Sequence, residues 1–167
     1  NAKSRPQTFF EAGVDMIFTS EAEVTIQQVI KVMQKDSDDY SSVGKILYKN
    51  KSGKILDNTH FGDIIMDLDK LPVPAWDLLP NERYWKIGRP HGGGTAIAGK
   101  ELKYASMMTS RGCPFACSFC HIADETEKSI SGAIGRFRIK SDERVQQELS
   151  ILKNEIGVQQ VFIEDDS

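Results

Sequence analysis

The three cysteines of the chain, Cys113, Cys117 and Cys120, all lie within one eight-residue window. No other feature constrains the fold as much. An odd number cannot pair fully, and so tight a spacing does not resemble a secreted disulfide framework. Thiolates three and four positions apart can converge on one centre if their loop curls around it. Three of them complete neither a tetrahedral zinc site nor a fully ligated four-iron cluster. A metal held this way keeps one open position, which lets a substrate bind the metal directly. The window therefore predicts metal or redox chemistry in a reducing compartment, taken here as the cytoplasm. The competing arrangement is a zinc site with His121 as fourth ligand, or with His60 or His91 in its place.

The rest of the composition narrows the class. With 167 residues, 40% apolar and 27% charged, the chain has room for one globular domain or pieces of two. No apolar run approaches the roughly 18 residues of a membrane span. Lys plus Arg is 21 against Asp plus Glu 24, net −3, with the two signs mixed along the chain. A general nucleic-acid-binding surface needs a basic excess, so nucleic acid is not an expected partner. The chain opens on Asn1 and closes on Ser167 directly after an acidic pair, and the expectation is an internal segment of something longer.

Hydrophobic patterning supplies the elements. Gly13 to Thr19 carries a short apolar run of the kind a buried strand uses. Ser20 and Glu23 have capping-box spacing, and Ala22, Ile26, Val29, Ile30 and Met33 recur at helical spacing behind them. This predicts an amphipathic helix over 21–35 with those residues as its buried face. Lys45–Tyr48 and Lys54–Leu56 flank Asn50-Lys51-Ser52-Gly53 and read as a hairpin. From Met66 to Pro90, four prolines (72, 74, 80 and 90) predict an extended connector. Trp76 and Trp85 in that stretch imply that it packs on a surface. Residues 91–100 read as a loop. Tyr104–Thr109 predicts a strand running into the cysteine loop. Ser141 can cap a helix with Val145, Leu149, Leu152 and Ile156 inside and Gly157 as its stop, and Val161–Ile163 is a second strand. Strand, loop, helix, strand is a βαβ unit with a long first loop.

Lesser signals are set aside on physical grounds. Gly94 to Lys100 has the glycine–lysine spacing of a phosphate loop, but Glu101 stands where a hydroxyl must bind Mg²⁺, and a strand follows rather than a helix. Arg136 and Arg138 read as a solvated basic turn, and Met107 and Met108 as core.

Three stretches resemble a known family. Cys113-x3-Cys117-x2-Cys120, with Phe119 before the last cysteine and Thr109-Ser110-Arg111-Gly112 ahead of the first, is similar to the radical S-adenosylmethionine (SAM) superfamily. Together with Leu68 to Pro80 it resembles the subgroup that carries a cobalamin (B12)-binding domain. Ser20-Glu21-Ala22-Glu23 is similar to the Gly-Glu-Gly-Glu turn of that domain, departing at both glycines. The subgroup's Asp-x-His-x-x-Gly string does not occur in this chain.

The resemblance implies an α/β chain in three parts. These are the end of a Rossmann-like cobalamin-binding domain at 1–40, a hairpin and Pro/Gly-rich linker at 41–100, and the first βαβ of a partial (β/α) radical SAM barrel at 101–167. Residues 101–167 fall far short of the ~250 of a full barrel, so the chain alone is not expected to turn over substrate. By the same resemblance, Cys113, Cys117 and Cys120 bind three irons of a [4Fe–4S] cluster, and the fourth iron chelates S-adenosyl-L-methionine. Phe119 lies near the adenine, and Asp165 and Asp166 occupy the place of the segment that meets the SAM amino group. Reductive cleavage of SAM then modifies a small-molecule substrate, with methyl transfer from cobalamin as the implied outcome and a flavodoxin or ferredoxin as electron donor. A radical SAM enzyme without cobalamin and a non-catalytic Cys3His zinc-binding module are the alternatives left open.

Overall fold

A computed structural model describes residues 2, 4–87, 102–115, 117–120 and 137–166. The chain divides into two compact units, residues 1–66 with 113–136, and residues 67–112 with 137–167.

The first unit is built on a three-stranded antiparallel sheet in the order β1 (Met16–Phe18), β2 (Ile46–Lys49), β3 (Ile55–Asp57). Its hairpin β2–β3 matches the expectation, and it shares a sheet with β1 rather than belonging to a connector. Alternation along β2 sends its residues to opposite faces. Leu47, with Ile17 of β1, packs on Phe10 of α1 (Pro6–Glu11). Ile46 and Tyr48 pack with Val43 and with Val29 of α2 (Glu23–Met33). A central strand buried on both faces therefore lies between two helix-bearing layers. Gly44, just before β2, has no room for a side chain, because a Cβ there would meet the Phe61 carbonyl group and lie 2.8 Å from Gly62 Cα.

Two expectations for α2 fail. The helix begins at Glu23 after Ala22, with no side-chain cap, so Ser20 does not serve as N-cap. Thr25 and Val29 are its buried residues, whereas Ile26, Ile30 and Met33 are 39%, 45% and 59% exposed. The apolar stripe exists, but the helix is rotated so that the edge of the stripe faces the sheet.

The second unit is a βαβ. β4 (Tyr104–Met107) and β7 (Gln160–Ile163) pair in parallel, Tyr104 opposite Gln160 and Met107 opposite Ile163. Between them lies a two-residue antiparallel ladder, β5 (Ser110–Arg111) with β6 (Arg138–Ile139). Helix α4 (Asp142–Ile151) follows, then a π turn Leu152–Ile156. Ser141 caps α4 by accepting from Arg144 N–H at 3.1 Å, and Gly157 ends the helical run in the left-handed region at φ 78°, as expected from their types.

The proline stretch is not extended throughout. It forms a 3₁₀ turn at Leu68–Lys70, capped by the Asp67 side chain, and, following Pro74 and Pro80, a 3₁₀ turn at Trp76–Leu78 and a short helix, α3 (Asn81–Ile87), because a proline φ near −65° suits the entry to a helical turn as well as an extended chain. Trp76 and Trp85 are buried as expected, in one core with Met107, Leu152 and Val158. Trp85 Nε1 donates to the Tyr104 carbonyl at 2.7 Å, which satisfies the indole N–H.

On α4 the predicted inner residue Leu149 is 38% exposed, and its neighbour Glu148 is fully buried. Lys140 Nζ donates to Glu148 at 2.6 Å and Arg144 Nε at 2.7 Å, and Arg144 also donates to the Leu71 carbonyl at 2.8 Å. Ser141 N–H donates to Asp69 at 3.0 Å, and the Ser141 hydroxyl first, with this N–H, holds the Asp69 carboxyl below its ordinary value. The segment 69–71 is thereby tied to the start of α4.

Candidate cluster and cofactor site

Parallel pairing of β4 and β7 brings their carboxyl ends to the same edge of the βαβ, where open α/β sheets gather ligands. β4 leads through Thr109 and the β5 residues Ser110 and Arg111 to Gly112 and then, next in the chain, Cys113. β7 leads to Glu164, Asp165 and Asp166, and Glu164 N–H extends the ladder by donating to Met107 at 2.9 Å.

The acidic pair is bonded to the turn leaving β4. Asp165 Oδ1 accepts from Thr109 N–H at 2.7 Å and from Ser110 N–H at 3.0 Å, and Oδ2 accepts from the Thr109 hydroxyl. Asp166 Oδ2 accepts from Gly112 N–H at 3.0 Å, and Gly112 sits in the left-handed region at φ 78°. Burial pushes the Asp165 carboxyl up, but the Thr109 and Ser110 donors together outweigh it and hold the carboxyl below its ordinary value. Arg138 is buried on β6, opposite Arg111, and is not a solvated turn residue.

In the cysteine loop all three thiols are free, Cys113 and Cys120 half-buried and Cys117 exposed. Cys120 N–H donates to the Cys117 carbonyl at 3.0 Å, so these two bracket a single turn. Among the described residues no group of three or more His, Cys, Asp or Glu is gathered as a metal site, so the three thiols do not converge on one point. Phe119 is 91% exposed. His60 is exposed and lies edge-on to Phe61 at 5.0 Å. His91, His121, Arg136 and the 94–100 loop fall outside the described residues.

In the first unit, the turn between β1 and α2 holds two buried hydroxyls, Thr19 Oγ1 and Ser20 Oγ, that have no hydrogen-bond partner among the described residues. The sequence predicts a helix cap at this turn. A strand end with two buried hydroxyls and no cap lies beyond the reach of local pattern.

No protein-family model matches the chain. An uncharacterized methyltransferase of Pyrococcus horikoshii is 32% identical over 154 residues, which are 92% of this chain and 28% of that protein. The fold is similar to that of the cobalamin-dependent S-adenosylmethionine radical enzyme OxsB, solved with aqua-cobalamin and S-adenosylmethionine bound. The TM-score is 0.69 at 22% identity, covering 99% of this chain and 20% of that one. It is also similar to the radical S-adenosylmethionine methyltransferase TsrM from Kitasatospora setae, solved with cobalamin and a [4Fe–4S] cluster. There the TM-score is 0.61 at 11% identity, covering 99% of this chain and 29% of that one. At these identities the structural likeness shows the fold, a mixed α/β arrangement found in cobalamin-dependent radical enzymes. The chain spans less than a third of each of these proteins.

Proposed function

We propose that this chain carries the junction of a cobalamin-dependent radical SAM methyltransferase, with a cobalamin-facing layer within residues 1–66, a linker, and the opening βαβ of the catalytic barrel within 101–167. The carrying observation is the β4–β7 pair. One strand leads directly into the three-cysteine loop, and the other ends on carboxylates bonded to the residues that enter it. The likeness to a methyltransferase and to two cobalamin-containing radical enzymes supports the same reading.

The residues present fit the groups this activity requires. Cys113, Cys117 and Cys120 are free thiols of the right chemistry to ligate three irons of a [4Fe–4S] cluster once their loop curls around it, which would leave one iron for SAM. Asp166 is exposed, and among the described residues only its Oδ2 has a partner, so Oδ1 is the acceptor for the SAM ammonium. Both oxygens of Asp165 are already engaged. Phe119 offers an exposed ring to the adenine. Thr19 and Ser20 offer to cobalamin buried hydroxyls that have no partner among the described residues. When bound, the cluster supplies an electron to SAM and cobalamin supplies a transferable methyl group. A small molecule is the substrate class, and a flavodoxin or ferredoxin is the class of electron donor.

The test is anaerobic reconstitution of the protein with ferrous iron and sulfide. A reducible four-iron centre is expected, and Ala at Cys113, Cys117 or Cys120 should each abolish it. Stoichiometric zinc without acid-labile sulfide, or an unchanged cluster in Cys117→Ala, would overturn the proposal. The zinc result would identify a non-catalytic zinc module instead.

A further inference from the structure

The turn from β4 toward the cysteines presents a row of backbone donors. The N–H groups of Thr109, Ser110 and Gly112 all point at carboxylate oxygens that arrive from 54 to 56 residues further along the chain. Successive N–H groups in such a turn form a concavity that ordinarily collects an anion from outside the chain. Here the chain fills it with its own side chains. Ser110 and Gly112 are buried, so without these carboxylates their N–H groups would be left unsatisfied away from water, which is costly. Asp165 takes the larger share. One oxygen spans two consecutive N–H groups, and the other takes the Thr109 hydroxyl. Three of the roughly four acceptor positions of Asp165 are thus taken, against one of Asp166 among the described residues.

We propose that Asp165 is a positioning residue. From the end of β7 it clamps the backbone of Thr109 and Ser110, and so sets the direction in which the chain enters Cys113. This rests on reading the cysteines as iron ligands, and it separates the two aspartates. Asp165 acts on the loop, and Asp166 keeps an oxygen for a ligand.

The two roles respond oppositely to one substitution. In Asp165→Asn the amide oxygen can still span both N–H groups. The amide nitrogen can donate to Thr109 Oγ1, whose own proton then turns away. The geometry survives and only the charge is lost. Asp165→Ala removes the clamp outright, and Thr109→Val removes its hydroxyl arm alone.

The experiment has two parts. Amide hydrogen exchange on the metal-free protein reads the clamp without any cluster. Thr109 and Ser110 should exchange about tenfold faster or more in Asp165→Ala, less so in Thr109→Val, and within about twofold of wild type in Asp165→Asn. The reconstituted protein then gives the reduced cluster's paramagnetic resonance spectrum, its rate of iron loss to a chelator, and SAM affinity. Asp165→Ala should shift the spectrum and lose iron about tenfold faster, with Asp165→Asn restoring both. If Asp165→Ala does not fold, Thr109→Val carries the comparison. Wild-type exchange in the Ala variant, or in the Val variant standing in for it, would overturn the clamp. A ten- to hundredfold loss of SAM affinity in Asp165→Asn with an intact cluster would make Asp165 a SAM ligand and overturn the positioning role. If wild type forms no cluster, the iron–sulfur reading fails, and amide exchange still decides the clamp.

Discussion

The turn that leaves β1 and the turn that leaves β4 both sit at the carboxyl end of a strand, yet they treat their polar groups in opposite ways. After β4, the N–H groups of Thr109, Ser110 and Gly112 are all held by carboxylates. After β1, the hydroxyls of Thr19 and Ser20 are buried with no partner among the described residues. A fully satisfied turn is rigid and specifies one geometry. A turn with orphaned hydroxyls carries a standing desolvation cost that a bound ligand can relieve. The first kind suits the approach to a metal-binding loop, and the second suits the floor of a cofactor site.

The sharpest way to break this contrast is to remove a partner from the satisfied unit. Glu148 is fully buried between Lys140 and Arg144, whose side chains are 9% and 10% exposed. Glu148→Ala leaves both cations buried without their carboxylate. A loss of about 3–5 kcal/mol is expected, read as a lower denaturant midpoint with an unchanged m-value. Glu148→Gln keeps the shape and one acceptor and should lose less. Equal stability of wild type and Glu148→Ala would mean that the triad is solvated and that the unit does not close over its charges.

A smaller effect is expected from acid. The Asp165 carboxyl lies below its ordinary value of 3.8 because the Thr109 and Ser110 donors favour the charged form. A carboxyl depressed in the folded state contributes stability that is present above the unfolded value and is lost as pH falls through the folded one. Wild type should therefore lose stability below about pH 4 more steeply than Asp165→Asn, which has no proton to take up there. Superimposable acid-unfolding curves for the two proteins would remove Asp165 from the groups that govern that window.

What is legible in the sequence is local. Ser141 and Gly157 act through groups within a few residues, so their types alone announce the ends of the α4 run. The hairpin and the two strands of the βαβ are equally plain from alternation and apolar runs. The misses share one cause, dependence on distant chain. Helix α2 is apolar over so wide an arc that periodicity does not say whether Ile26 or Thr25 faces the sheet, and the sheet selects Thr25 and Val29. Glu148 looks like an ordinary surface charge, because nothing nearby reveals that Arg144 also reaches the Leu71 carbonyl 73 residues away. The acidic pair is recognisable as a candidate site from its place after β7. Its division of labour depends on Thr109, Ser110 and Gly112, which only the folded chain brings to it.

The smallest predicted effect tests the open turn and carries the opposite sign from the others. Thr19 is 3% exposed, and its hydroxyl has no partner among the described residues. Replacing an unsatisfied buried hydroxyl by a methyl group of similar shape removes a desolvation cost without removing a hydrogen bond. In the cofactor-free protein, Thr19→Val should therefore be neutral or more stable by up to about 1 kcal/mol. Thr109→Val, at the satisfied turn, should be less stable by about 1 kcal/mol. If the Thr19 hydroxyl is kept for cobalamin, the order reverses on binding. Titration with hydroxocobalamin, followed by its visible spectrum, should show wild type binding several-fold more tightly than Thr19→Val. The gain of the free protein then becomes a loss in the complex, which a purely structural threonine would not produce. A Thr19→Val protein that is destabilised when free, and binds cobalamin as wild type does, would show that the hydroxyl serves the fold and that the two turns do not differ in the way proposed.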